Sequence, residues 1–389
     1  MDRNPGRSLR GMTLPMPHQL KPCDPLAGLI ARTDAMLPAL ADLGMRYDAA
    51  PAYPADSMAM LHRSGLLTAF APAESGGHPW AGEGPRHRAM FEILRRIGRA
   101  DLSIGRLYEG HVNAVLLYDW FGDAEQRTWL GQRLSEGCVF GVWASEQSPG
   151  VRLIGDPQAP TLAGSKHFAS GAGGNTYAIV TAQCAEASRR LVTVRADDAA
   201  RTDNSRWRVR GMRATMSGSY ALDDIVPGAG AILGQPGDYD LEPRFTAGAW
   251  RFCAVQLGGI EALVQTLKAE LSEAAIDSAV ARATFANAVV AARTAYLWVR
   301  EAMLRAAQED DDAVPFALMT RGVVERAALD GMEIASRLLG TRSAMDGNRA
   351  DKIIRDLSLY LRQAGPDYAR DRAAAAWLDH DAWGEDPWW

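Results

Sequence analysis

Apolar residues recur at helical spacing in the first and last thirds of the chain and at strand spacing in between. Leu26, Ile30, Leu37, Leu40 and Leu43 follow a period near that of a helix, with Pro38 as the point where it would kink or divide. Ser57 is placed to cap a helix bearing Met58, Leu61 and Leu66. The stretch FAPAESGGHPWAGEGP (70–85) reads as Gly/Pro-rich loop, and Met90 to Leu117 as two helices broken near Arg99 to Asp101. From about 139 to 240 the period changes. CVFGVWASEQ, PTLAGSKHFASGAG, TYAIVTAQ, RLVTVRA and RWRVRGM are short, rich in Val, Thr and aromatics, and separated by turn residues, which predicts antiparallel strands. Helical patterning returns over 247–272, 279–308, 314–340 and 350–379, with turn signals at Asp310 to Pro315, Gly340 to Gly347 and Gly365 to Pro366. The predicted class is α+β, mainly α. An N-terminal helical domain (1–138) precedes a middle antiparallel β-domain (139–243), and a C-terminal four-helix bundle (244–389) follows.

Composition narrows this little. The 389 residues are 47% hydrophobic and 23% charged, with a formal net charge of -5 and both signs interspersed, so no nucleic-acid partner is expected. Cys23, Cys138, Cys184 and Cys253 stand apart without metal-ligand spacing and read as reduced thiols; no metal site is expected. The basic N-terminus lacks the continuous apolar stretch of a signal peptide, and no apolar run approaches the roughly 18 to 20 residues of a membrane helix. A cytoplasmic protein without a membrane partner is the expectation. The tail GEDPWW reads as a docking or oligomer contact.

Segment by segment, the chain resembles the acyl-CoA dehydrogenase superfamily across nearly its whole length. GLLTAFAPAESGG (65–77) is similar to the loop closing that family's first helical hairpin, and VWASEQ (142–147) to a strand ending beside the flavin. LAGSKHFASGAGGNTYAIVTA (162–182) resembles the strand pair packed on the isoalloxazine ring. GMRATMSGSYALDDIVPGAGAIL (211–233) resembles the strand and loop leading into the bundle, and KIIRDLSLYLRQAGPD (352–367) the segment around an Arg-Asp pair. The resemblance implies FAD, with FMN or externally reduced flavin for a monooxygenase, and a homodimer or homotetramer. It also implies that Ser170 hydrogen-bonds flavin N5, that Phe168 flanks the ring, and that Trp143, Ala144 and Ser145 supply donors from a strand end. Strand alternation puts Phe168 and Ser170 on one face and Ala169 on the other. The plainer alternatives are a hydroxyl capping the turn at Gly171 to Gly174 and ordinary core packing of Phe168. No GxGxxG fingerprint is present.

The resemblance also implies a carboxylate base. Counting from Arg355 and Asp356, its usual position falls at Ala364, which cannot abstract a proton; the other customary place, around Gly248 to Arg251, holds no Glu. No clear counterpart exists for the segment that reaches a partner subunit's FAD. Candidate replacements lie in GRADLSIGRLYEGHVNAVLLY: Glu109 and Asn113 share a helix face, while His111 lies well around the helix. Asp367 is a further candidate base, or simply a turn residue. Arg355 and Asp356 read as an architectural ion pair. Trp250 and Arg251, with Asn113, are placed at the substrate mouth, or begin a helix. Three functions follow: dehydrogenation of an acyl-CoA or related thioester with a relocated base, a flavin monooxygenase in which a polar pair such as His111 and Ser170 serves, or a catalytically silent scaffold. A small-molecule substrate is common to the first two.

Overall fold

The computed structural model describes residues 25–145, 147–156, 159–184, 188–363 and 365–379. Cys23, Ala364 and the tail GEDPWW, which carried expectations above, lie outside the described residues. Five helices come first: α1 (Pro25–Ala49), α2 (Ala55–Arg63), α3 (Glu83–Ala100), α4 (Leu102–Phe121) and α5 (Ala124–Ser135). Pro38 lies inside α1 without dividing it, because the helix is held by a buried face of Leu26, Leu29, Thr33, Met36 and Leu40. Ser57 is not a cap. It sits buried within the first turn of α2, which begins after Pro54, and Leu66 packs beyond the helix end. The break between α3 and α4 is where the sequence puts it: Asp101 accepts from the Ile104 backbone N–H at 2.9 Å and starts the second helix.

Nine strands follow among the described residues: β1 (Phe140–Trp143), β2 (Arg152–Asp156), β3 (Ala159–Ala163), β4 (Ser165–Ala169), β5 (Tyr177–Gln183), β6 (Arg189–Arg195), β7 (Thr202–Asp203), β8 (Gly218–Ala221) and β9 (Ile232–Leu233). They make a six-stranded sheet, β3-β2-β5-β6-β9 with β1 also on β5, and a three-stranded sheet, β4-β8-β7. Pairing is mostly antiparallel, but β1 runs parallel to β5, Phe140 opposite Tyr177 through Trp143 opposite Val180. RWRVRGM (206–212) is not a strand despite its alternation. It is held by local turns and by the Met212 N–H, which donates to Asp356 Oδ1 at 2.5 Å.

The rest is helical: α6 (Arg244–Ala247), α7 (Trp250–Glu270), α8 (Glu273–Asp277), α9 (Ala279–Gln308), α10 (Ala313–Leu339), α11 (Arg349–Tyr360) and α12 (Pro366–Asp379). The Gly340 to Gly347 signal falls between α10 and α11, the Asp310 to Pro315 signal runs into the first turn of α10, and the last predicted segment is two helices, split before Pro366. Helices α3 and α7 pack backbone to backbone. A Cβ at Gly98 would land on the Val255 carbonyl, and one at Gly258 on that of Arg95, so only glycine permits this approach. Arg355 and Asp356 do not pair. As neighbours on a helix they point about 100° apart. Arg355 instead binds Asp351 and Asp48, each at 2.7–2.8 Å, while Lys352 reaches both Asp356 and Asp101 at 2.6 Å. That buried triad ties the start of α4 to α11. Burial alone would lower the Lys352 pKa, but the two carboxylates outweigh it and hold the ammonium above its ordinary range. No helix among the described residues is long and apolar enough to cross a membrane.

Candidate functional site

Helix α4 is buried nearly all round, yet one stripe of it opens on a cavity. Arg106, Glu109, Asn113, Leu117 and Trp120 recur at steps of three and four and line a space of about 440 Å³. The facing wall is the end of β1 and its exit, Val142, Trp143, Ala144 and Ser145, together with Phe168. Tyr239, Thr246, Arg251 and Phe252 close a third side; Arg321, Gln363 and Tyr368 complete it. A larger cavity of about 590 Å³ lies between α5 and β6, against Trp129, Tyr177 and Arg195, and contains none of the sequence-predicted residues.

A chain of hydrogen bonds runs along the helical wall. Arg106 donates to Glu109 at 2.7 Å, Asn113 Nδ2 donates to the other Glu109 oxygen at 2.5 Å, and Arg251 Nε donates to Asn113 Oδ1 at 2.6 Å. Glu109 thus has both oxygens engaged, and Asn113 uses its amide to join a carboxylate to a guanidinium. Arg251 is 7% exposed. Burial pushes its pKa down to about 10, against the pull of Glu109.

The opposite wall owes its shape to a bulge. The register between β4 and β8 shifts at Phe168, whose φ of 53° lies in the left-handed region. Alternation fails there. Phe168 swings out and is 69% exposed, Ala169 is fully buried, and Ser170 turns inward. The Ser170 hydroxyl pairs with Ser217 Oγ at 2.9 Å, which pairs with Thr215 Oγ1 at 2.7 Å, so it forms part of a hydroxyl relay behind the wall. Trp143 donates its indole N–H to the Ser170 carbonyl at 3.0 Å and fixes the two segments together. Strand β1 ends at Trp143, and no described residue bonds the Ser145 hydroxyl.

The cavity therefore brings together Glu109, Asn113, Arg251, Trp143, Ala144, Ser145 and Phe168, and leaves out His111, Ser170, Trp250 and Asp367. His111 lies on the far side of α4, 1% exposed. Its Nε2 is 2.8 Å from the Leu67 carbonyl, and its Nδ1 accepts from the Phe140 N–H at 3.1 Å. These partners require a proton on Nε2 only, and burial pushes the pKa down to about 4, so the ring is neutral and fully committed. Trp250 is wholly buried beside His87. The Asp367 side chain is 92% exposed and paired with Arg370, away from the cavity. Sequence reasoning missed Arg106, Trp120, Tyr239 and Arg321. The first two continue the Glu109–Asn113 stripe by helical spacing and could have been found that way; Tyr239 comes from a single 3-10 turn, Asp238–Asp240, too short to show a period.

No family model matches the chain. Dibenzothiophene monooxygenase of Rhodococcus qingshengii is 29% identical over 193 residues, which is 46% of this chain and 45% of that protein. The chain thus matches less than half the length of such curated relatives. Dibenzothiophene monooxygenase TdsC from Paenibacillus sp. A11-2 superposes with a TM-score of 0.79 at 19% identity, over 90% of this chain and 97% of that one. That protein has also been solved with FMN and indole. KijD3, in complex with FMN and a dTDP-linked amino-keto sugar, gives a TM-score of 0.79 at 19% identity, over 92% and 95% of the two chains. The chain has the acyl-CoA dehydrogenase-like fold that these flavin enzymes share.

Proposed function

We propose that this chain is a flavin-dependent monooxygenase, using FMN reduced elsewhere and acting on a small organic molecule bound between α4 and the β1–Phe168 wall. The observation that carries the proposal is the state of the cavity's carboxylates. Glu109 is bound by Arg106 and Asn113, and Asp238 accepts from the Gln235 N–H at 2.6 Å. Dehydrogenation of a thioester needs a carboxylate with a free lone pair aimed at the substrate. Glu109, the buried carboxylate of the cavity, has each oxygen already tied to a donor of its own helix, which disfavours that role. The expected acyl-CoA dehydrogenation accordingly gives way to the monooxygenase reading, which the names of the relatives also support.

The residues present fit a flavin ring. Phe168 presents an exposed aromatic face, Val142 and Trp143 extend the apolar wall, and Ala144 and Ser145 leave the strand where polar edges of a ring would need partners. FMN rather than FAD is favoured by the FMN-bound neighbours and by the missing counterpart of the family's adenosine-side segment. A bound, reduced flavin would supply the electrons that place one oxygen atom on the substrate and release the other as water. The chain's own residues orient the substrate against α4, exclude water with Trp120, Phe252 and Tyr239, and hold Arg251 in place through Asn113.

Helix α9 exposes Val290 and Leu297 seven residues apart on one side, an apolar stripe suited to a homodimer or homotetramer contact; sedimentation tests this. For the reaction, indole is supplied with FMN, NADH, a flavin reductase and isotopically labelled oxygen. Labelled oxygen in the product is expected. Turnover without oxygen, or anaerobic bleaching of bound flavin by an acyl-CoA, would instead restore the dehydrogenase reading.

A further inference from the structure

The cavity carries charge of the opposite sign to the whole chain. Five arginines line it, Arg106, Arg244, Arg251, Arg321 and Arg372, against the carboxylates of Glu109 and Asp238, in a chain of formal net charge -5. Arg106 is matched by Glu109 and Arg244 by Glu309. Arg251 has no such match among the described residues. It is the most enclosed charged group on the wall after Glu109, and its one hydrogen bond among the described residues runs from Nε to a neutral amide oxygen. No carboxylate of the described residues lies within ion-pair distance, and Nη1 and Nη2, the fork of the guanidinium, have no hydrogen-bond acceptor among the described residues. A buried guanidinium without a counterion is unfavourable, and evolution of a binding site is one way to retain it.

The surroundings hold the group ready. Its Cζ lies 5.9 Å from the ring centroids of both Trp120 and Trp250, contacts that orient a planar cation, while Asn113 fixes Nε. The fork is free to donate to two oxygens of one planar anion, the arrangement that distinguishes Arg from Lys. The cavity beyond it is walled by the rings of Trp120, Phe168, Tyr239 and Phe252, which suit a flat apolar body.

We infer that the substrate is an organic oxyanion, a flat apolar molecule bearing a carboxylate or similar group, with its charged end received by Nη1 and Nη2 of Arg251. The inference rests on the monooxygenase reading for the substrate's fate, though not for its binding. A flavin phosphate is the other source of an oxyanion. Arg251 belongs to the α4–α7 wall with Asn113, however, and the wall that fits the flavin ring is the one opposite.

The test uses indole-3-carboxylate and indole, equal in ring and different in charge, titrated calorimetrically into the FMN-loaded and the flavin-free protein. Wild type is expected to bind the carboxylate about ten- to a hundredfold more tightly than indole, the range for a hydrogen bond to a charged group. Arg251→Met should abolish that preference and Arg251→Lys should retain part of it, with FMN and riboflavin affinities unchanged in both. No preference in wild type overturns the inference, as does a preference that survives in both variants. Should Arg251→Met fail to fold in a thermal melt, wild type and Arg251→Lys decide by the same criterion. Loss of FMN affinity with riboflavin unaffected would assign Arg251 to the flavin phosphate instead. Failure of the function reading is separate: no flavin binding, with the carboxylate preference intact on the flavin-free protein.

Discussion

Replacing His111 by Phe keeps an aromatic ring in the core and deletes both of its hydrogen bonds. The Phe140 N–H and the Leu67 carbonyl then remain buried without partners, at a cost of about 1–3 kcal/mol each, so the variant should be about 2–6 kcal/mol less stable at neutral pH. The pH dependence discriminates further. The ring has a pKa of about 4 in the fold and 6.5 when unfolded. Only the unfolded chain takes up the proton between those values, so the wild type keeps the full contribution above pH 6.5 and loses it as the pH falls toward 4. From 6.5 to pH 5 the loss is about 2 kcal/mol, at about 1.4 kcal/mol per pH unit. Phe has nothing to titrate, and distant groups cancel in the difference between the proteins. Urea unfolding of the flavin-free chains, followed by tryptophan fluorescence at several pH values, gives that difference from the midpoints and the common slope. The wild-type advantage should shrink by about 2 kcal/mol between pH 7.5 and pH 5. A gap that stays constant or widens at acid pH refutes the assignment of a neutral, doubly bonded His111.

Lys352→Met should destabilise the chain by about 3–5 kcal/mol, because Asp101 and Asp356 lose the cation that justifies their burial; thermal or urea unfolding reads this. Gly98→Ala should cost about 1–3 kcal/mol by forcing α3 off the α7 backbone, and a neutral result would show that the helices have room to part. Phe168→Gly should leave stability unchanged or raise it by about 1 kcal/mol, since a half-open aromatic at positive φ is replaced by the residue that adopts it freely, while FMN binding weakens. Asn113→Leu should lower oxygen-dependent turnover by roughly tenfold or more with the fold intact, since it unlinks Glu109 from Arg251; steady-state assays with externally reduced FMN check it.

What the sequence made legible was whatever depended on helical or strand period. The shared face of Glu109 and Asn113, with His111 two residues and about 200° away, needed only the geometry of a helix. The same geometry argues against an Arg355–Asp356 pair and for partners four residues apart, Asp351 with Arg355 and Lys352 with Asp356, which is what forms. The bulge at Phe168 was not legible. Period-two alternation assumes an unbroken ladder, and one residue in the left-handed region reverses every face after it. Ser170 consequently faces Ser217, a partner 47 residues away in a segment with no strand signal of its own. The wall containing Tyr239 was hidden for a related reason: between Gly234 and Pro243 the chain makes only one short 3-10 turn, Asp238–Asp240, too short to carry a period to read.

One wall of the cavity comes from helix α4 and the opposite one from β1, its exit and Phe168, so something must fix one against the other. Helix α4 does so by having two working faces. The stripe from Arg106 to Trp120 faces the cavity. Around the rest of the helix, Tyr108 donates to the Leu66 carbonyl at 2.9 Å, His111 meets Leu67 and Phe140, and the Tyr118 hydroxyl meets Thr193 Oγ1 on β6 at 2.9 Å. Phe140 begins the strand whose last residue is Trp143, so the bond from Phe140 to His111 anchors one end of a rigid four-residue segment whose other end is the opposite wall. At the N-terminus of α4, Asp101 both caps the helix and holds Lys352 of α11. Polar residues outside the cavity thus set the spacing between those that line it. This accounts for the close grouping of Glu109, His111 and Asn113 in an otherwise apolar helix: Glu109 and Asn113 face the cavity, and His111 sets how far away the other wall stands.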